Sequence, residues 1–261
     1  MISPLSGLWQ LSPLTDLSIP QDDLTFPGPL SQILPSTLSE QDIAAQEWHL
    51  MHDIELDEVQ LAYPAIDLVI SGIDYFAEVR VNGVAVFDCD GSSREYKKDI
   101  RPYLQLGPNR FEILFLEQEE DWLIDDEPEQ REPIVATDSR MGIWMQPYLQ
   151  FISNLRLEQV TTEQIWHHGG GCEFLVDLQY TTYKPGLVSA SVKFNSMTYH
   201  LPIDVRANHV SALFQIDAPV CIDEREPNPS DLYPLEVNLD GQHTELLIGL
   251  SPSLTVTHYR V

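Results

Sequence analysis

The chain has 261 residues, 43% of them hydrophobic, and carries 41 Asp and Glu against 14 Lys and Arg, a formal net charge of −27. A surface this acidic repels phosphate backbones and anionic lipid, which excludes nucleic acid and membranes as partners. No run reaches the roughly 18 apolar residues of a membrane span, and 19 prolines argue against a helical protein. The length suits one large domain or two ordinary β domains. Cys89, Cys172 and Cys221 are odd in number and widely spaced, which fits free thiols in a reducing compartment better than a disulfide frame. No CxxC or Cys/His cluster points to a metal, and no motif points to a cofactor. The N-terminus, MISPLSGLWQLSPL, lacks a basic segment followed by an apolar block, so the expected location is the cytoplasm.

In chain order, Gly7-Leu8-Trp9-Gln10-Leu11 reads as a first strand and Phe26-Pro27-Gly28-Pro29-Leu30 as a turn. Ser39 with Asp42 has the spacing of a reciprocal helix cap, opening a short helix that ends near Glu47. Trp48, Leu50, His52, Ile54 and Leu56 then alternate as one face of a strand. His52 lies in phase with the apolar residues, which predicts a hydrogen-bonded core histidine rather than a ligand.

From Asp67 to Phe115 the alternation is dense: Val69, Ala77, Val79, Val81, Val84, Val86, Phe111, Ile113 and Phe115 mark half-buried strands. Asn82-Gly83 between EVRV and VAVF predicts a two-residue hairpin, because both positions tolerate positive φ. Gly107-Pro108-Asn109 reads as a second turn. Glu117 to Glu132 then holds nine carboxylates and one Arg. Such a run is ordinarily a solvated loop, with a cation site or a sugar-facing rim as the functional alternatives.

Residues 153–171 end in Trp166-His167-His168-Gly169-Gly170-Gly171, a loop. Adjacent histidines point to opposite sides of an extended chain, so they make a poor metal pair. No GKS/T follows the glycines, so they do not make a phosphate loop. Beyond them, residues 174–182, 187–194, 200–205, 210–217, 233–241 and 254–261 are strand candidates, as is the stretch from Leu155 before the glycines. Short strands at this spacing predict a sandwich.

Several of these segments resemble one family. SGIDYFAEVRVNG followed by LGPNRFEILF resembles the sugar-binding jelly roll that opens glycoside hydrolase family 2 enzymes. Gly7-Leu8-Trp9, Pro27-Gly28, the stretch from Leu30 to Leu38 and Trp48 are similar to the opening of the β-mannosidase-like members. The run from Asp138 to Leu149 resembles the family's G-I-W-R-P-V-Y-L strand, with Met145 and Gln146 where the family carries Arg. EPIVATDSR stands where β-mannosidases carry G-W-D-W-G-P. Asn228 to Leu235 resembles the P-x-x-L-Y-x-L element of the family's immunoglobulin-like second domain, with Tyr233 holding a corner.

The resemblance implies an all-β chain: a galactose-binding-like jelly-roll sandwich over 1–152 and an immunoglobulin-like β-sandwich over 153–261. Family 2 enzymes place both catalytic glutamates on a barrel after these domains, and such a barrel needs about 250 residues. No Asn-Glu pair like the family's acid/base motif is present, so no catalytic residue is expected here. Three readings stay open. The chain is a non-catalytic protein that binds oligosaccharide, or a fragment or subunit of an active β-mannosidase- or β-galactosidase-type glycosidase whose barrel lies on a barrel-bearing partner chain, or a protein-interaction module without sugar affinity. A saccharide would be gripped by an aromatic face with carboxylates or amides on its hydroxyls. Trp122, Asp138 and Arg140 are expected to share one surface concavity, with Trp144 beside them. The structural alternatives are a loop anchor for Trp122, core packing for Trp144 and a simple ion pair for Asp138 with Arg140.

Overall fold

The fold comes from a computed structural model, which describes residues 1–19, 22–25, 28–30, 34, 38–39, 42–43, 45–74, 76–90, 95–116, 142–204, 206–222 and 228–260. The chain divides into two compact units, Met1–Phe151 and Ile152–Val261. Both are built from strands.

In the first unit a six-stranded sheet has the order Asp22–Leu24, Trp9–Pro13, Trp48–Leu56, Gly107–Phe115, Ala77–Val81, Val84–Cys89. A four-stranded sheet has the order Ile2–Pro4, Tyr148–Ile152, Ala65–Ser71, Glu95–Asp99. Alternation sends every second side chain inward. Trp9, Trp48, Leu50, Val79, Phe111, Ile113 and Phe115 from the larger sheet meet Ile66, Leu68, Ile70, Leu149 and Phe151 from the smaller in one buried cluster. This is a jelly-roll sandwich. A small ribbon of Gly28–Pro29, Gly142–Ile143 and Ile73–Asp74 completes it. His52 is buried; its Nδ1 lies 2.9 Å from the Leu8 carbonyl oxygen and its ring stacks on Trp9 at 4.8 Å. Ser39 and Asp42 form the reciprocal cap, with Oγ donating to the carboxylate at 2.7 Å and the Asp42 N–H donating to Oγ at 3.1 Å.

The hairpin at Asn82-Gly83 is present, with φ of 51° and 79°. Its side chain ties two turns together. Asn82 Nδ2 donates to the Tyr103 carbonyl at 2.8 Å and to Asn109 Oδ1 at 3.0 Å, while its Oδ1 accepts from the Arg110 N–H at 2.9 Å. Asn109 is buried and bonds the Gln105 N–H, the Gln105 carbonyl and the Gly107 carbonyl. The V-N-G and G-x-N elements that carry the family resemblance are therefore one structural lock. Gly107 has φ of 85° and begins the strand Gly107–Phe115. The turn thus precedes Gly107 rather than running through Asn109.

The second unit is a sandwich of two four-stranded sheets, ordered His209–Ile216, Cys172–Thr182, Leu155–Trp166, Val256–Arg260 and Met197–His200, Ala190–Phe194, Tyr233–Leu239, Gln242–Ile248. The neighbouring pairs are antiparallel, and the arrangement is immunoglobulin-like. At its centre Phe174 stacks on Phe194 with ring centroids 4.1 Å apart, and Phe214 meets Phe194 edge-on at 5.6 Å. Tyr233 packs on Phe194, and its hydroxyl accepts the Val220 N–H at 2.9 Å, which makes the corner. Two strand expectations need correction. Of the strand expected over 200–205, residues 201–204 are not a strand; the hairpin partner is Met197–His200, and Pro202 has no N–H to extend it. Gln242–Ile248 is a strand that sequence alternation missed, because its inward positions begin with the polar Gln242.

Candidate functional site

Of the four expected saccharide contacts, the structure describes Trp144. Trp122, Asp138 and Arg140 lie outside the described residues, as does the acidic run 117–132. Trp144 follows the ribbon strand Gly142–Ile143, and its N–H donates to the Gly72 carbonyl at 2.8 Å. Gly72 has φ of 62°, and a Cβ there would stand 3.1 Å from the Trp144 Cβ, so only glycine lets the segment lie this close. Beyond it, Gln146 Nε2 donates to the Leu5 carbonyl at 2.6 Å and the Leu5 N–H donates to the Pro147 carbonyl at 2.8 Å. The segment is pinned, and it leaves Trp144 41% exposed and Met145 58%. A part-exposed indole can cover the C–H face of a ring.

Several carboxylates of the first unit face cations or donors. Asp67 is buried with Lys97 Nζ 3.8 Å away, and Glu95 accepts from the Ser71 hydroxyl at 2.9 Å. Asp99 accepts from the Ile66 and Arg101 N–H groups. Burial, with Glu95 and Asp67 close by, pushes the Tyr148 hydroxyl up from its ordinary value. Asp16, Asp42, Asp53 and Asp204 are held below the usual carboxylate range, first by hydrogen bonds from Ser18, Ser39, Arg110 and Arg206. A general acid needs the opposite shift. Among the described residues no group of three or more His, Cys, Asp or Glu is placed to hold a metal ion.

The outward face of the six-stranded sheet carries a cluster that the sequence reading did not single out. His49 Nε2 lies 2.9 Å from Glu112 Oε1. Ser12 is the cross-strand partner of His49, and its Oγ is buried without a hydrogen-bond partner. The available signal was position: His49 and Ser12 fall on the polar phase of their strands, where burial is unexpected.

Residues 33–145 match the family described as "Glycosyl hydrolase 2 galactose-binding domain-like". That stretch is similar to the galactose-binding-like domain of glycosyl hydrolase 2 enzymes. No curated protein matches the chain. The fold is shared with the N-terminal regions of larger enzymes. Against the β-D-mannosidase of Dictyoglomus thermophilum the TM-score is 0.66 at 16% identity, covering 95% of this chain and 36% of that one. A β-glucuronidase of an uncultured Clostridium sp. gives 0.59 at 14% identity, covering 96% and 44%. A glycosyl hydrolase family 2 member from Bacteroides cellulosilyticus gives 0.60 at 14% identity, covering 98% and 38%. The chain thus spans less than half the length of these three. Its described residues form the galactose-binding-like domain and the sandwich that follows it, and contain no (β/α)₈ barrel.

Proposed function

We propose that this chain is a non-catalytic, saccharide-binding protein built as the accessory half of a family 2 glycoside hydrolase of the β-mannosidase type. The observation that carries the reading is Trp144, 41% exposed on a pinned ribbon inside a galactose-binding-like domain. A rigid aromatic platform contributes stacking on a sugar ring at little entropic cost. Trp122, Asp138 and Arg140 belong to the same proposal as the polar side of the contact. Cys89, Cys172 and Cys221 are all free thiols, which supports a reducing, cytoplasmic setting. The span, 36% of the mannosidase, favours a second reading, in which the chain is a fragment or subunit of a working glycosidase whose barrel supplies the catalytic carboxylates.

Calorimetric titration with mannotriose tests the first reading. Saturable binding is expected, weakened about tenfold in Trp144→Ala, the loss of one aromatic contact. The chain alone should release no aryl alcohol from aryl β-mannoside, β-galactoside or β-glucuronide. Binding unchanged in Trp144→Ala moves the site elsewhere, and turnover lost with one carboxylate of this chain overturns the non-catalytic reading.

A further inference from the structure

The two sheets of the second unit turn unlike faces outward. On the sheet of Met197–His200, Ala190–Phe194, Tyr233–Leu239 and Gln242–Ile248, polar side chains pair across the strands. Lys193 stands opposite Glu236 and bonds it at 2.6 Å, and Asn238 stands opposite His243 with its Oδ1 3.0 Å from Nδ1. Leu247 lies at one end of this face, opposite Pro234. Such a surface is ordinarily solvated.

The sheet of His209–Ile216, Cys172–Thr182, Leu155–Trp166 and Val256–Arg260 differs. Its antiparallel register lines up Leu213, Leu175, Glu163 and Val256 as one outward row, with Glu173 and Ile165 in the row beside it. Leu213, Val256 and Ile165 are 45%, 51% and 39% exposed. Three strand spacings make the row about 14 Å long. Exposed apolar side chains that are gathered, not scattered, mark a surface that another protein covers.

The charge at the centre of the row says what that protein carries. Asp177, one row away, accepts from the Ser211 hydroxyl at 2.7 Å and lies 3.0 Å from His209 Nδ1. Glu173 has His167 Nε2 at 3.5 Å. Glu163 has no such neighbour. Its cross-strand partners are Leu175 and Val256, and among the described residues it makes no hydrogen bond or ion pair. Open to water, this carboxylate is hydrated. Once covered it loses that hydration, and only a cation of the partner restores the balance. A second copy of this chain does not fit. Each copy carries a net charge of −27, and an isologous contact sets this patch, carboxylates included, against itself. The chain's own acidic run 117–132 is unsuited for the same reason.

We propose that this sheet face docks another protein through an arginine or lysine set among apolar side chains, with the cation on Glu163 and the apolar groups on Leu213, Leu175, Val256 and Ile165. The next row, Ser211, Asp177, Thr161 and His258, supplies the polar rim that such contacts carry. The proposal rests neither on Trp144 nor on the saccharide reading.

The probe is a nine-residue peptide, acetylated and amidated, with four leucines and a central arginine at alternate positions and serines between them. In an extended chain this puts the cation and the apolar groups on one face. It is titrated into the full chain by calorimetry and by amide NMR. Saturable binding is expected, with shifts centred on Leu213, Leu175, Glu163 and Val256. Glu163→Gln and Leu213→Ser each weaken it roughly tenfold, the loss of one covered ion pair or one apolar contact, with the melting temperature unchanged. Glu245→Gln, on the polar face of the other sheet, leaves it as in wild type. Peptides with serine for the leucines, or glutamate for the arginine, bind roughly tenfold more weakly or not at all. Equal weakening by Glu163→Gln and Glu245→Gln reduces the effect to the general attraction of an acidic chain and overturns the site. So do shifts centred elsewhere, a control peptide that binds as tightly, or no binding of the leucine–arginine peptide. Wild-type dimers in sedimentation that Leu213→Ser dissolves overturn the choice of partner, since a second copy then covers the face.

Discussion

The two units solve the same problem, tying strands together with side-chain amides, over very different spans of chain. In the first, Asn82 and Asn109 bind groups at most 28 residues away, across two adjoining turns. In the second, Gln242 Nε2 donates to the Leu155 carbonyl at 2.7 Å, its Oε1 accepts from the Leu157 N–H at 3.1 Å, and these partners lie 87 and 85 residues away. Gln164 does the same for Gly249 and Ser251, 85 and 87 residues away. Turn-local locks leave a compact signature, because the turn needs both the positive φ and the amide within a few positions. Sheet-to-sheet clasps leave none, since a glutamine in a strand is simply a polar residue in an alternating run.

Three measurements break or sharpen that contrast. The largest effect is expected from Asn109→Ala. It removes the buried side chain that bonds the Gln105 N–H, the Gln105 and Gly107 carbonyls and Asn82 Nδ2. A loss of about 3–4 kcal/mol follows, read by urea unfolding, with amide exchange rising first around residues 82 and 105–110. A cost under about 1 kcal/mol would show that the motif is not the lock it resembles.

Gln242→Ala comes next, at about 2–3 kcal/mol, because it leaves the Leu157 N–H and the Leu155 carbonyl without their side-chain partner. The check is amide exchange at Leu155 and Leu157, which should accelerate while residues 105–110 stay protected. Equal acceleration in both places would dissolve the distinction between local and long-range clasps.

The smallest effect belongs to Asp53 and Arg110. They bond bidentately at 2.8 Å and both remain half-exposed. Arg110 holds the Asp53 carboxyl below its ordinary range. The folded pKa is depressed, so the stabilisation is present above the unfolded value of about 3.9 and fades as pH falls through the lower folded value. Solvent screening limits it to about 1 kcal/mol or less. Asp53→Asn should therefore cost little at pH 7 and nothing at strongly acid pH, compared by thermal melts at low salt.

The same contrast explains what the sequence disclosed. Period-two alternation located the core strands Trp48–Leu56, Ala77–Val81 and Gly107–Phe115, since each buries one face. It missed Ile2–Pro4, too short to show a period, and Gln242–Ile248, whose inward phase is polar at its start. For the candidate site, Trp144 was legible as an aromatic at a closing ribbon. Its exposure was not, because that depends on Gly72 from a distant segment. Ser12, His49 and Glu112 come from three strands, and only their register brings them together.

The cysteines give each unit its own tell-tale. Cys89 sits inside the first core, and burial lifts its thiol far above the ordinary range; Cys172 is buried at the start of a strand of the second unit, its thiol also raised by burial. Cys221 stands open to solvent. A thiol reagent therefore finds a single ready target on the intact molecule. Each further equivalent that reacts names the sandwich that has breathed, residue 89 for one and residue 172 for the other.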